Sequence, residues 1–293
     1  MAKKPSEMID LHCHSTASDG TVPPEELPLL ARTAGLAALA LTDHDTVSGV
    51  EAFLNAAKDV PDVRCIPGIE LACRLESGEH CHIVGLFVDY RNETLRRLCD
   101  QIVEWRIDRN RNMLGKLSEL GMPIDYDALQ KRHEGTIVGR PHIAEEMVNL
   151  GYCKTIRDAF QRFISRGRTA YCEREVPDGP TCLQAIHDAG GLAVWAHPMT
   201  SSNRTQTKCL AIATELCQSG LDGIEAYYSE HSQTQQENVL RIAAKLNLAV
   251  SGGSDFHGEH IPEIKLGVGY GGLRVPDALL KELDRRAKKY QNA

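Results

Sequence analysis

Seven short apolar runs that alternate with helical patterns constrain this chain more than any other feature. They are MIDLHCH, LAALALTDH, VRCIPGIELAC, CHIVGLFVD, GLAVWAHP, DGIEAYY and LAVSGGSDFH. Apolar runs of this length broken by amphipathic segments are the mark of βα units and a parallel sheet. One of the intervening segments, PPEELPLLARTAG, has a proline start and a glycine stop, as a helix should. Seven such units predict a closed or nearly closed α/β barrel. At 293 residues the chain is long enough for one barrel with an insertion.

The alternation stops between residues 92 and 172, where only helical patterns remain: ETLRRLCDQIVEWRIDRNRNMLGKLSELG, DYDALQKRH, RPHIAEEMVNLGY and TIRDAFQRFISRG. The expected organisation is therefore a barrel built from residues 8–91 and 173–290, interrupted by an all-helical subdomain at 92–172. Neither repeats nor low-complexity tracts complicate this reading.

A formal charge of −7 argues against a large nucleic-acid-coating surface, although a local basic pocket remains compatible with it. The ten cysteines include no Cys-x-x-Cys pair and several sit in apolar runs, so they read as small core residues in a reducing compartment. The N-terminal stretch lacks the apolar run of a signal peptide, and no segment approaches the length needed to span a bilayer. These features predict a cytoplasmic protein with no membrane partner.

Histidines and acids fall at the ends of the strand candidates. In an extended strand His12 and His14 share a face while Cys13 points the other way, and Asp19 follows in a turn-like run. LTDHD supplies Asp43, His44 and Asp45, GIE supplies Glu70, and EHCHIVG supplies His80 and His82. WAHP and GGSDFH then add His197, Asp255 and His257. In a βα barrel the strand ends gather on one face, where active sites are built. Imidazole and carboxylate without thiolate suit Zn, Mn or Fe, and the set is too large for one tetrahedral ion. His80, Asp43 and Asp45 are the residues that serve equally well as groups orienting a ligand.

In this order the residues resemble the PHP (polymerase and histidinol phosphatase) family: H-x-H, a downstream acid, D-H-D, G-x-E, a strand histidine, a histidine before proline, and D-x-H. The resemblance implies a distorted (β/α)7 PHP barrel with a trinuclear metal centre, most often of Mn2+, with Zn2+ or Fe2+ as alternatives. It places His12, His14, Glu70 and Asp255 on a first ion, Asp19, His44 and His257 on a second, and Glu70, His82 and His197 on a third. His82 is favoured over His80 because it immediately precedes IVG. The helical insertion is similar to that of a bacterial subgroup acting on nucleoside 3′,5′-bisphosphates. That implies a phosphatase removing the 3′-phosphate of a small nucleotide substrate; the alternatives are a 5′→3′ exoribonuclease on short RNA and a non-catalytic metal-binding polymerase accessory. Clustered ions lower the pKa of water, so the expected attacking group is a metal-bound hydroxide, with Asp43 and Asp45 the nearest acids.

The insertion at 92–172 is expected to cover the active site and to contribute recognition of the substrate. Arg109 falls in the gap of an apolar stripe that runs through Leu95, Leu98, Ile102, Trp105, Met113 and Leu117, with Arg106 close by. The same spacing also fits a solvated face of snorkelling arginines. In GRPHIA, Pro141 suits a first helical turn and leaves Arg140 at its N-terminus, with His142 nearby, which makes an anion site. Asp19 and Gly20 join the expected substrate contacts.

Overall fold

The structure, a computed structural model, describes residues 7–133, 138–201 and 204–291. Residues 134–137 of the expected insertion and the first six of the N-terminal stretch lie outside the described residues. Seven strands form one sheet in sequence order: β1 Ile9–Asp10, β2 Ala38–Leu41, β3 Arg64–Arg74, β4 His80–Leu86, β5 Leu192–Trp195, β6 Gly223–Tyr228 and β7 Ala249–Gly253. The chain beyond β1 closes the ring on β7, with Leu11 N donating to Gly252 O at 3.1 Å, Asp255 N to His12 O at 2.8 Å and His14 N to Phe256 O at 2.9 Å.

Neighbouring strands are parallel from β1 to β3 and from β5 to β7, whereas β4 runs antiparallel to both its neighbours. This departs from the all-parallel expectation. Only residues 75–79 connect β3 to β4. A parallel crossover needs a dozen residues or more, so the chain can only fold back. Gly78 at φ 81° makes the turn, and Leu75 N donates to Glu79 O at 2.9 Å. The reversal has a consequence for the site, because the start of β4, not its end, lies beside the carboxyl ends of the parallel strands.

Ile9, Leu11, Ala38, Ala40, Ile66, Val84, Leu86 and Val194 pack in one buried cluster, the residues of β2 and β4 taken from alternate positions. Leu39 and Leu41, on the opposite face of β2, are equally buried. Strands covered on both faces need runs as apolar as those in the sequence. The covering helices are α1 Leu27–Ala34 and α2 Val50–Ala56 early in the chain, then, after α3 Glu93–Glu119, α4 Tyr126–Arg132, α5 Arg140–Asn149 and α6 Ile156–Ala159, come α7 Gly179–Asp188, α8 Gln206–Gln218, α9 Gln233–Leu246 and α10 Leu279–Gln291. α1 ends on Gly35 at φ 75°, whose N–H reaches Ala31 O, the left-handed cap that glycine tolerates best.

The chain divides into two compact units, residues 1–99 with 177–293, and residues 100–176. The first is the barrel. The second, holding the end of α3 with α4, α5 and α6, has its own core of Met113, Leu117, Leu129, Ile143, Met147 and Ile164.

Candidate metal centre

Six of the seven strands deliver one or more of the expected ligands to one end of the barrel. Beyond β1, Cys13 bridges to Phe256 and its thiol faces Ala40 O at 3.2 Å, which turns His12 and His14 together to the other side. Glu70 sits within β3, His82 near the start of the reversed β4, and His44, His197, Asp255 and His257 just past β2, β5 and β7.

Glu70 is the hub, fully buried with both oxygens surrounded by imidazoles. Its Oε2 lies 2.7 Å from His44 Nδ1 and 3.4 Å from both His12 Nε2 and His14 Nε2. Its Oε1 lies 3.0 Å from His82 Nδ1 and 3.0 Å from His197 Nε2. Asp255 Oδ1 stands 3.0 Å from His14 Nε2 and 3.4 Å from His12 Nε2. Asp19, the most exposed member, approaches His257 Nε2 at 3.4 Å and His44 Nε2 at 3.8 Å. All nine expected ligands are therefore within one cluster. His80 is not: it is exposed, and its backbone carbonyl accepts from Arg204.

Packing imidazoles at ring separations of 4.1 Å (His14 to His257) and 4.4 Å (His14 to His44) is unfavourable if all are protonated. Burial, with His44 and His257 alongside, lowers the His14 pKa to about 3, so this ring is neutral with one lone pair to offer. Burial would raise Glu70, but His44, His12 and His82 together hold its carboxyl well below the usual range. Despite this crowding, His12 Nε2, both ring nitrogens of His14, Glu70 Oε2 and Asp255 Oδ1 are buried without a hydrogen-bond partner. Buried polar atoms left unpaired are costly, and a cation at their centre supplies what they lack. Three donor groups meet the geometry for an ion: His14, Asp19, His44 and His257; His12, His14 and Glu70; and His44, Glu70 and His82. His14 and His44 thus each stand between two groups, a sharing that the ligand sets implied by the family resemblance do not include.

Asp43 and Asp45 sit outside these groups. Asp43 accepts from Ser15 N at 2.7 Å, Ser15 Oγ at 2.6 Å and Ser18 Oγ at 2.5 Å, so it holds the loop that carries His14 and Asp19. Asp45, at φ 57°, accepts from Ala72 N at 3.2 Å and ties the loop after β2 to β3. Gly20 is buried, and a Cβ there would meet His14 O at 2.6 Å. The chain needs glycine at that position whatever binds beside it.

Sequence reasoning missed Glu225 and Tyr228 of β6. Glu225 Oε1 is 3.0 Å from His12 Nδ1, its Oε2 accepts from His197 N at 2.7 Å, and Tyr228 OH donates to Asp255 Oδ2 at 2.9 Å. In DGIEAYY nothing but an acid on a strand marks them.

Within the helical unit, Arg109 is only 7% exposed and its Nε has no hydrogen-bond partner. Burial, then Arg106, Arg140 and Arg174, push its pKa down to about 9. Arg109 is therefore not a snorkelling surface group. Arg140 opens α5 and lies 6.0 Å from the Phe160 ring and 5.8 Å from that of Tyr171. His142 Nδ1 accepts the Gly139 N–H at 2.9 Å, capping α5. Arg106, Arg140 and Arg174 therefore lie close enough to Arg109 to repel its charge, and Arg140 opens α5. Arg174 is the member that the sequence did not disclose.

A closed barrel whose strand ends converge on unpaired, buried imidazole and carboxylate atoms defines a metal-dependent hydrolase. The chain belongs to the PHP domain family, whose profile matches residues 10–169, a span that includes His12 through His82 but stops before His197, Asp255 and His257. It is 36% identical, over 86% of this chain and 90% of the other, to a 5′-3′ exoribonuclease of Haemophilus influenzae. It is 33% identical, over 85% of this chain and 87% of the other, to a 3′,5′-nucleoside bisphosphate phosphatase of Chromobacterium violaceum. A crystal structure from Bifidobacterium adolescentis, assigned as a metal-dependent phosphoesterase, superposes with a TM-score of 0.80 at 30% identity, covering 97% of this chain and 98% of that one. Among the described residues no helix is long and apolar enough to cross a membrane.

Proposed function

We propose that this protein is a metal-dependent phosphoesterase that removes the 3′-phosphate of nucleoside 3′,5′-bisphosphates, such as adenosine 3′,5′-bisphosphate, leaving the nucleoside 5′-monophosphate and inorganic phosphate. The observation that carries the reading is the set of buried, unpartnered donor atoms around Glu70. His12, His14, Asp19, His44, Glu70, His82, His197, Asp255 and His257 are the residues proposed to hold divalent ions, with Mn2+ the first to test. Bound there, such ions acidify water, polarise phosphoryl oxygens and align attacking and leaving oxygens.

The chain's own residues do the positioning. Glu70 offers one oxygen to His12, His14 and His44 and the other to His82 and His197, so it suits a bridging role. Asp43 and Asp45 are proposed to hold the ligand-bearing loops, since their oxygens already accept backbone and hydroxyl hydrogen bonds. Arg106, Arg109, Arg140 and Arg174 are proposed to bind a phosphate group of the substrate. The likeness to the Chromobacterium violaceum phosphatase supports this substrate.

The greater identity to the Haemophilus influenzae protein favours a second activity on the same centre, stepwise 5′→3′ hydrolysis of short 5′-phosphorylated RNA. Phosphate release from adenosine 3′,5′-bisphosphate, measured beside mononucleotide release from a 5′-phosphorylated oligoribonucleotide, ranks the two. Absence of phosphate release from the bisphosphate overturns the first. Arg140→Ala is expected to lower kcat/KM for the bisphosphate about 10- to 100-fold, the loss of one charge-assisted contact, while sparing an aryl phosphate; equal loss on both removes Arg140 from recognition.

A further inference from the structure

β6 is the strand of the ring that supplies none of the nine expected ligands, and we infer that it supplies their orientation instead: Glu225 and Tyr228 are positioning residues for ligands carried by three other strands. The inference rests on the metal reading above and goes beyond it.

Glu225 is 3% exposed and divides its two oxygens between two partners. Oε1 lies 3.0 Å from His12 Nδ1, and Oε2 accepts the backbone N–H of His197 at 2.7 Å. With Nδ1–H donated to Glu225 Oε1, Nε2 is the ring nitrogen that carries the lone pair. The lone pair of Nε2 is then left facing the centre. That atom has no hydrogen-bond partner and stands 3.4 Å from both Glu70 Oε2 and Asp255 Oδ1.

The second bond acts on a backbone. His197 sits at φ 30°, in a region that residues with a side chain rarely adopt. Its N–H is held there by Glu225, and its Nε2 faces Glu70 Oε1 at 3.0 Å. One carboxylate thus orients a ligand on each side of Glu70. Tyr228 repeats the device: its hydroxyl ties up Asp255 Oδ2 at 2.9 Å, and Oδ1, which has no hydrogen-bond partner, is turned to His14 and His12. For His12 and Asp255 the outer atom is engaged while the inner atom has no hydrogen-bond partner.

The test titrates metal-stripped protein with Zn2+ in competition with a chromophoric chelator. Glu225→Gln preserves volume but cannot accept from both partners, and it is expected to weaken zinc binding about 10- to 100-fold, with Tyr228→Phe shifting it in the same direction. Circular dichroism of the stripped variants is expected to match the wild type. Zinc affinity in Glu225→Gln equal to the wild type overturns the inference alone. A wild-type protein that takes up no zinc overturns the metal reading and the inference with it. If Glu225→Gln does not fold, long-range 1H–15N spectra of the zinc-loaded wild type decide the matter: a His12 proton on Nδ1 supports the inference, and a proton on Nε2 overturns it.

Discussion

Glu70 shows how much one residue can organise. Lying in the middle of a strand, it has no loop freedom, and its two oxygens are aimed by the β3 backbone into a ring of imidazoles. Its negative charge is what makes that ring tolerable, because burial is outweighed by His44, His12 and His82. Glu70→Gln keeps the shape and removes the charge. It is expected to reduce phosphatase activity by more than about 100-fold, beyond the effect usual for groups that only support a ligand, and to lower the metal content found by elemental analysis. Unchanged metal content would remove Glu70 from the centre. The ligand types were legible residue by residue, since imidazole and carboxylate chemistry belongs to the side chain. The positive φ of Asp45, His197 and Asp255 was not, because such strain is imposed by surroundings.

Among the elements, the junction of β7 with the chain beyond β1 is the most demanding. A Cβ on Gly252 would lie 2.6 Å from Tyr227 O, and one on Gly253 would overlap the His12 backbone. The GG pair of VSGGSD lets the two segments approach closely enough for Asp255 N to reach His12 O at 2.8 Å. Gly253→Ala is expected to cost about 1–3 kcal/mol, the usual effect of forcing an extra methyl into a packed core, measured by urea unfolding. The same variant should bind metal more weakly, because His12 must move. A Gly253→Ala protein of wild-type stability would show that this approach is not constrained. The reversal of β4 was in principle readable, since five residues cannot carry a crossover helix. Runs of similar composition concealed it.

At the scale of the whole molecule, the ligands come from strands separated widely in sequence, so a bound cation cross-links the barrel end. Anything that binds only the folded state stabilises it, by about 2.7 kcal/mol at a hundredfold excess over Kd. Melting of the metal-loaded protein is therefore expected to fall when EDTA is added and to recover with Mn2+. A melting temperature indifferent to EDTA would argue against a resident ion.

By itself the sequence determined the alternation of strands and helices, the stretch where it stops, and the chemical types gathered at the strand ends, because periodicity and donor chemistry are local properties. Tertiary structure alone decided which atoms meet. His12 and Glu225 are 213 residues apart and become hydrogen-bonding neighbours only when the ring closes. Arg174 likewise joins Arg106, Arg109 and Arg140 only once the helical unit has packed. The pairing of His12 with His14 was visible from spacing, whereas the direction of each lone pair depends on distant residues.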